Sequence, residues 1–144
     1  MKYDDASWHY GGEFPAELSV EAGSTHIGMF VAWALLAGLG GALHVVEFPE
    51  DLQRLRERSV TPGQFVREAC DEKLTDEDLN DVGNAFAAAY FAPDEGQYLA
   101  DYELVLGGPF PTLYHVPDTW EGFDALRPVL DRRFDEWRRE QPET

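Results

Sequence analysis

The chain has 144 residues, enough for one domain and short for two. With 44% hydrophobic and 13% aromatic residues it can bury an ordinary core, which excludes disorder despite a formal net charge of -17. Its single cysteine, Cys70, excludes an internal disulfide and a cysteine-rich zinc site, and 28 acids against 11 bases exclude nucleic acid as a direct partner.

In chain order, the opening residues are polar and acidic and carry no secretory signal pattern, so a cytoplasmic location is expected. Residues 3–15 are aromatic and turn-rich, with Trp8, Tyr10 and Phe14 around Gly11 and Gly12. They read as an ordered irregular segment lying on the core. Ser24 or Thr25 is expected to cap a helix running to about Leu39. Ile27, Phe30, Val31, Ala34 and Leu35 form one apolar stripe, and Met29, Trp33 and Leu36 fill most of the rest, so this helix should be buried nearly all round. Residues 22–46 contain no Asp, Glu, Lys or Arg, about the length of a membrane span. Gly38, Gly40, Gly41, two histidines and acidic flanks favour a buried central helix instead, and no membrane association is expected.

Pro49 opens a short amphipathic helix with Leu52 and Leu55 inward. Thr61-Pro62 pairs a cap with proline at the first helical position, where its missing amide costs nothing. Thr75-Asp76-Glu77-Asp78 is a further start signal, with acids on the positive end of the dipole, for a helix through Leu79, Val82, Phe86, Ala89 and Tyr90. Tyr98, Leu99, Tyr102 and Leu106 fit a helix, whereas Tyr98, Tyr102, Leu104 and Leu106 fit a strand; helix is preferred. Asp118 or Thr119 caps a last helix that Pro128 kinks or restarts. The expected fold is mainly α, an irregular single-domain bundle of about six helices.

Charge is unevenly placed. No Lys or Arg lies between Lys2 and Arg54 or between Lys73 and Arg127, and the second gap holds 11 acids. Asp76, Glu77, Asp78 and Asp81 gather at one expected helix start, with Tyr98 and Tyr102 further along as aromatic anchors. An acidic rim around aromatics suits a basic protein partner. The bland account is a solvated face that aids solubility.

Asp4, Asp5, His9 and His26 could hold a divalent metal if the fold brings them together. The bland account has Asp4 and Asp5 in turn or cap hydrogen bonds and His9 satisfying a backbone carbonyl. His44 and His115 read as core histidines, and Cys70, beside Glu68, Asp71 and Glu72, as an inert thiol. The glycine-rich pieces lack the lysine and context of a phosphate loop, and no nucleophile–base pair is arguable. No catalytic residue and no cofactor are expected.

Lys2 to Tyr10 (Lys-Tyr-Asp-Asp-Ala-Ser-Trp-His-Tyr), Phe14-Pro15, His26 to Phe30 (His-Ile-Gly-Met-Phe), Ala32-Trp33-Ala34, and Leu113 to Asp118 with Trp120 and Phe123 belong together as a set. The set resembles a family of small, acidic, uncharacterised bacterial proteins that share this opening block. The resemblance implies an association with immunity partners encoded beside interbacterial toxins. It carries no catalytic residue over. The functional expectation is therefore an immunity-type binder, not an enzyme, that neutralises a cognate toxin domain through its acidic surface. The alternatives are a small metal-dependent enzyme built on Asp4, Asp5, His9 and His26, and a housekeeping interaction protein.

Overall fold

A computed structural model describes residues 2–12, 14–91 and 97–141. It is mainly α-helical, with one small antiparallel sheet. Strand β1 (Lys2–Asp5) pairs with β2 (Lys73–Thr75), Asp4 opposite Leu74 and Asp5 opposite Lys73. Helix α1 (Ala6–Tyr10) follows β1 directly, capped by the Asp5 side chain, which accepts from the Ser7 amide. The opening segment is thus regular up to Tyr10, not irregular as expected, and among the described residues it is irregular from Gly11 on. Its strand partner lies far along the chain, and no local pattern announces such a pairing.

Helix α2 (Thr25–Leu36) is the centre of the molecule, with every residue from Thr25 to Leu35 buried. Its start differs in detail from the expectation. A 3₁₀ turn (Val20–Ser24) runs into it, and Ser19 caps that turn, while the Ser24 hydroxyl makes no cap bond. It also stops sooner, turning at Gly38, whose φ of +84° is a conformation that glycine adopts without strain. No helix among the described residues is long and apolar enough to cross a membrane.

Helix α3 (Pro49–Arg56) buries Leu52 and Leu55. Helix α4 (Pro62–Ala69) starts as expected, with Thr61 and Gln64 forming a reciprocal capping box and Pro62 in the first turn. It lies hard against α2. A Cβ on Gly28 would stand 2.3 Å from the Pro62 carbonyl oxygen, so only a glycine lets these backbones approach. Asp71 and Glu72, both at positive φ, then turn the chain into β2.

The acidic stretch after β2 is not one helix start but two. Thr75 caps a 3₁₀ turn (Asp76–Asp78), and the Asp78 carboxylate reaches back to the Thr75 amide. Leu79 is extended and bridges Gly40, and α5 (Asp81–Tyr90) begins anew under an Asn80 cap. The helix is interrupted because amides that continuation would need are taken elsewhere, the Asn80 amide by the Leu39 carbonyl and the Gly83 amide by the Asn80 side chain.

Residues 98–107 are helical, α6 (Tyr98–Tyr102) running into a π-helical turn (Glu103–Gly107). Helix α7 (Trp120–Glu140) is capped by Thr119 and passes through Pro128 without restarting. Pro128 and Asp124, whose carbonyl is left without an amide, are both exposed, so water can serve that carbonyl. Phe30, Trp33, Phe86, Tyr90, Phe134 and Trp137 from α2, α5 and α7 pack as one aromatic group. Asp101 on α6 joins α5 and α7, accepting from the Tyr90 hydroxyl at 2.6 Å and from Arg133 at 2.9 and 3.1 Å.

Candidate metal centre

Pairing with β2 fixes β1 so that Asp4 points inward. Helix α1 begins two residues later and carries His9 back over it, and His26, in the first turn of α2, approaches from beneath. His9 Nε2 lies 2.8 Å from Asp4 Oδ1, His26 Nε2 lies 3.0 Å from Asp4 Oδ2, and the two Nε2 atoms are 3.2 Å apart. The rings meet edge to face. Asp4 is only 7% exposed and His26 fully buried, while His9 keeps one side toward solvent.

Burial opposes charge on Asp4, but hydrogen bonds from His26 and His9 outweigh it and hold the carboxyl well below its usual range. Burial pushes the His26 imidazole down, only partly offset by Asp4. Both directions describe the same state, an anionic carboxylate facing a neutral ring. In both cases the unfolded chain binds a proton that the folded protein refuses, so lowering the pH removes stability. The His26 share should disappear as pH falls below its ordinary value of 6.5. Asp4 follows below 3.8. Urea titrations in chelator across pH 7 to 5 should show the stability gap between the native protein and His26→Gln narrowing toward acid; a gap that widens contradicts a neutral His26.

The surroundings are specific. The Tyr114 hydroxyl lies 2.7 Å from His9 Nδ1 and can either donate to it or accept from it, so the ring is free to take either tautomer. His26 Nδ1 is buried and has no hydrogen-bond partner among the described residues. The Tyr98 hydroxyl donates to the His26 carbonyl, and the Tyr102 ring stands 6.2 Å from the His26 ring.

Of the four residues singled out for metal binding, three converge and one does not. Asp5 is occupied, its Oδ1 accepting from Ser7 and its Oδ2 from Lys2. The bland account is therefore right for Asp5 and in part for Asp4, whose Oδ1 also accepts from the Asp5 amide at 2.8 Å. His9, by contrast, faces Asp4 and Tyr114 rather than a backbone carbonyl. Tyr114 was not picked out as part of this centre, and nothing in its local sequence marks it.

The acidic face is divided by burial. Asp76, Glu77 and Asp81 are exposed, whereas Asp78 is 2% exposed, bonded to His44 Nε2 at 2.8 Å and to the Thr75 amide. Tyr98 and Tyr102 are fully buried. These three are corrected from surface contacts to interior residues, because α6 turns both tyrosines against α2 and the cap motif turns Asp78 inward. Asp94 and Glu95 of the acidic tract lie outside the described residues.

His115 bonds Thr112 at 2.8 Å and Glu17 at 2.9 Å at the molecule's edge, and is not a core residue. His44 is buried as expected. Burial and the neighbouring Asp78 push the Cys70 thiol well up, which keeps it protonated and unreactive in this state.

Fold and centre together define a small helical domain whose first strand, first helix and central helix meet at two imidazoles and one carboxylate. The chain belongs to the DUF7832 family, a domain of unknown function, whose family model matches residues 2–116. The matched region holds Asp4, His9, His26 and Tyr114, and stops before α7. No curated protein and no solved structure matches the chain.

Proposed function

We propose that this protein binds a first-row divalent metal ion through Asp4, His9 and His26. One observation carries the reading. Three side chains from three elements meet through four atoms, His9 Nε2 at 2.8 Å from Asp4 Oδ1, His26 Nε2 at 3.0 Å from Asp4 Oδ2 and the two Nε2 atoms 3.2 Å apart, and protons can satisfy only two of those three contacts at once. If both Nε2 atoms donate to Asp4, they confront each other as donors; if one gives up its proton, it confronts the carboxylate as a lone pair. A cation between them satisfies all three. Two ligands sharing a tetrahedral zinc are about 3.3 Å apart, given metal–nitrogen and metal–oxygen bonds of about 2.0–2.2 Å, and the two Nε2 atoms already stand 3.2 Å apart.

Two imidazoles and a carboxylate suit zinc or ferrous iron better than calcium or magnesium. Three protein ligands leave room for a bound water, and the solvent-facing side of His9 is where it would sit. Such a water is acidified by the ion, which is the chemistry this arrangement offers. Tyr114 would hold the outer nitrogen of His9.

Protein purified without chelator should carry metal by elemental analysis, and adding Zn²⁺ or Mn²⁺ to stripped protein should raise its melting temperature. At a hundredfold excess over the dissociation constant the gain is about 2.7 kcal/mol. His26→Ala and Asp4→Asn should abolish the response attributable to this centre. A stripped, folded protein that neither gains metal nor shifts its melting temperature removes the proposal.

A second reading, the immunity-type binder of a basic toxin domain, is favoured by one specific feature. Glu77 and Asp81 are exposed and have no Lys or Arg partner among the described residues. The arginine-bearing stretches are engaged elsewhere, Arg58 with Asp124, Arg133 with Asp101 and Arg54 with Asp51 and Glu68. An unneutralised patch of this kind speeds association with a cationic surface and is screened by salt. Co-expression with the product of the adjacent gene tests it. Failure to rescue growth and failure to form a salt-sensitive complex would dispose of this reading and leave the metal centre standing.

A further inference from the structure

A second constellation lies apart from the first, on different elements. His44 sits in a π-helical turn (Leu43–Glu47), Cys70 at the C-cap of α4, and Asp78 at the end of its 3₁₀ turn. His44 Nε2 is 2.8 Å from Asp78 Oδ1 and 3.8 Å from Cys70 Sγ. All three are buried, with Asp78 2% and His44 1% exposed.

The surrounding backbone holds this group in place. The Gly41 amide donates to the Asp78 carbonyl at 3.0 Å, and Gly40 bridges Leu79, so the turn carrying His44 is tied to the segment carrying Asp78. Gly41 has no room for a side chain, since a Cβ would meet the carbonyl oxygens of Glu77 and Leu79 at 2.8 Å. Asp78 Oδ2 is engaged by the Thr75 amide at 2.8 Å, which leaves Oδ1 directed at the imidazole. His44 Nδ1 is buried and has no partner among the described residues, so nothing on that side of the ring fixes its tautomer.

We propose that Cys70, His44 and Asp78 form a second cation site, selective for a thiophilic divalent ion such as Zn²⁺. Thiolate, imidazole and carboxylate are the ligand types zinc takes, whereas calcium and magnesium take oxygen alone. Bonds of about 2.3 Å to sulfur and 2.0–2.1 Å to nitrogen place those two ligands about 3.6 Å apart on a tetrahedral ion. The observed 3.8 Å needs almost no change, and the 2.8 Å pair opens by a few tenths of an ångström. Cys70 and Asp78, though not His44, line a groove of about 380 Å³ that opens to solvent between Arg67, Lys73 and the acids Glu68, Asp71 and Glu77, which would give the ion a way in and a water as fourth ligand.

On loading, sulfur, nitrogen and oxygen each form a bond to the ion. The thiol proton leaves to solvent, and the imidazole proton passes from Nε2 to the unpartnered Nδ1. A bound cation reverses the local preference for the thiol, since a coordinating thiol is deprotonated outright. The site stands independently of the Asp4 centre and contains the chain's single sulfur ligand of this kind.

That single cysteine makes the test specific. Stripped, full-length protein is titrated with Co²⁺ and followed for the thiolate-to-cobalt charge-transfer band, which the sulfur-free Asp4 centre cannot produce. The band should correspond to one sulfur-bound cobalt per chain, saturate at one equivalent in His26→Ala, where the Asp4 centre cannot compete for the ion, and be lost in Cys70→Ser and His44→Gln. Excess Zn²⁺ should bleach it and slow modification of Cys70 by a thiol reagent. A folded native protein that shows no sulfur band at saturating Co²⁺ and unchanged thiol reactivity with Zn²⁺ is a hydrogen-bonded triad only, and the proposal fails. A band that saturates at half an equivalent together with a dimer also overturns it, since the sulfur ligands would then come from two chains. The native-protein arms decide the matter even if a variant does not fold.

Discussion

Asp78→Lys is expected to destabilise the fold by about 3–5 kcal/mol, and Asp81→Lys, three residues on, to change stability by no more than about 0.5 kcal/mol. The two residues share an acidic tract but not an environment. Asp78 is 2% exposed and accepts from the Thr75 amide and from His44, whereas Asp81 is exposed in the first turn of α5. A lysine at position 78 strips a cap, leaves the His44 ring without its acceptor and puts a cation in a buried position. At position 81 the exchange loses only a favourable charge at the positive end of a helix dipole. Urea unfolding in chelator separates the folding effect from any metal effect. A loss below about 1 kcal/mol for Asp78→Lys would mean that the buried carboxylate contributes nothing measurable.

Trp33→Ala should cost about 3–5 kcal/mol. Trp33 is 2% exposed at the middle of α2, against Phe30, Phe86 and Phe134, and its indole donates to Asp131 at 2.8 Å. Truncation opens a cavity where three helices meet, and the close approach of α2 to α4 at Gly28 hinders collapse into it. Trp33→Phe keeps much of the ring packing and loses the hydrogen bond, so it should be the milder change. Equal losses for the two variants would shift the weight from packing to the Asp131 bond.

Helical content was legible wherever the signal was local. Thr61-Pro62 with Gln64, the apolar run from Ile27 to Leu36, the helical spacing of Tyr98, Leu99 and Tyr102, and Thr119 before Trp120 each act within one or two turns, and each forms a helix. The misreadings share a cause. Thr75 to Asp78 looks like the start of one helix because a cap signal does not say how long its helix lasts. It ends after one turn because the Asn80 amide that would continue it donates to the distant Leu39 carbonyl. Tyr98 and Tyr102 look like interface aromatics by composition, yet which way a short helix faces depends on its neighbours.

The cluster of Asp4, His9 and His26 was half visible. Asp4, Asp5, His9 and His26 are the right residue types, but a ligand set built from a strand, a following helix and a separate helix has no characteristic spacing. Asp5 could not be told from Asp4, since adjacent strand residues differ only in the face they present, and the pairing with β2 makes that choice. His44, Cys70 and Asp78 were each seen and never joined.

By itself the amino-acid order determined a single, acidic, mainly helical chain with a buried central helix, because caps, prolines and apolar periodicity act through neighbours along the backbone. Only the tertiary structure decided which acids lie at the surface and which are buried against histidines. Burial and convergence depend on contacts between residues far apart in the chain, and a carboxylate's chemistry follows from what faces it.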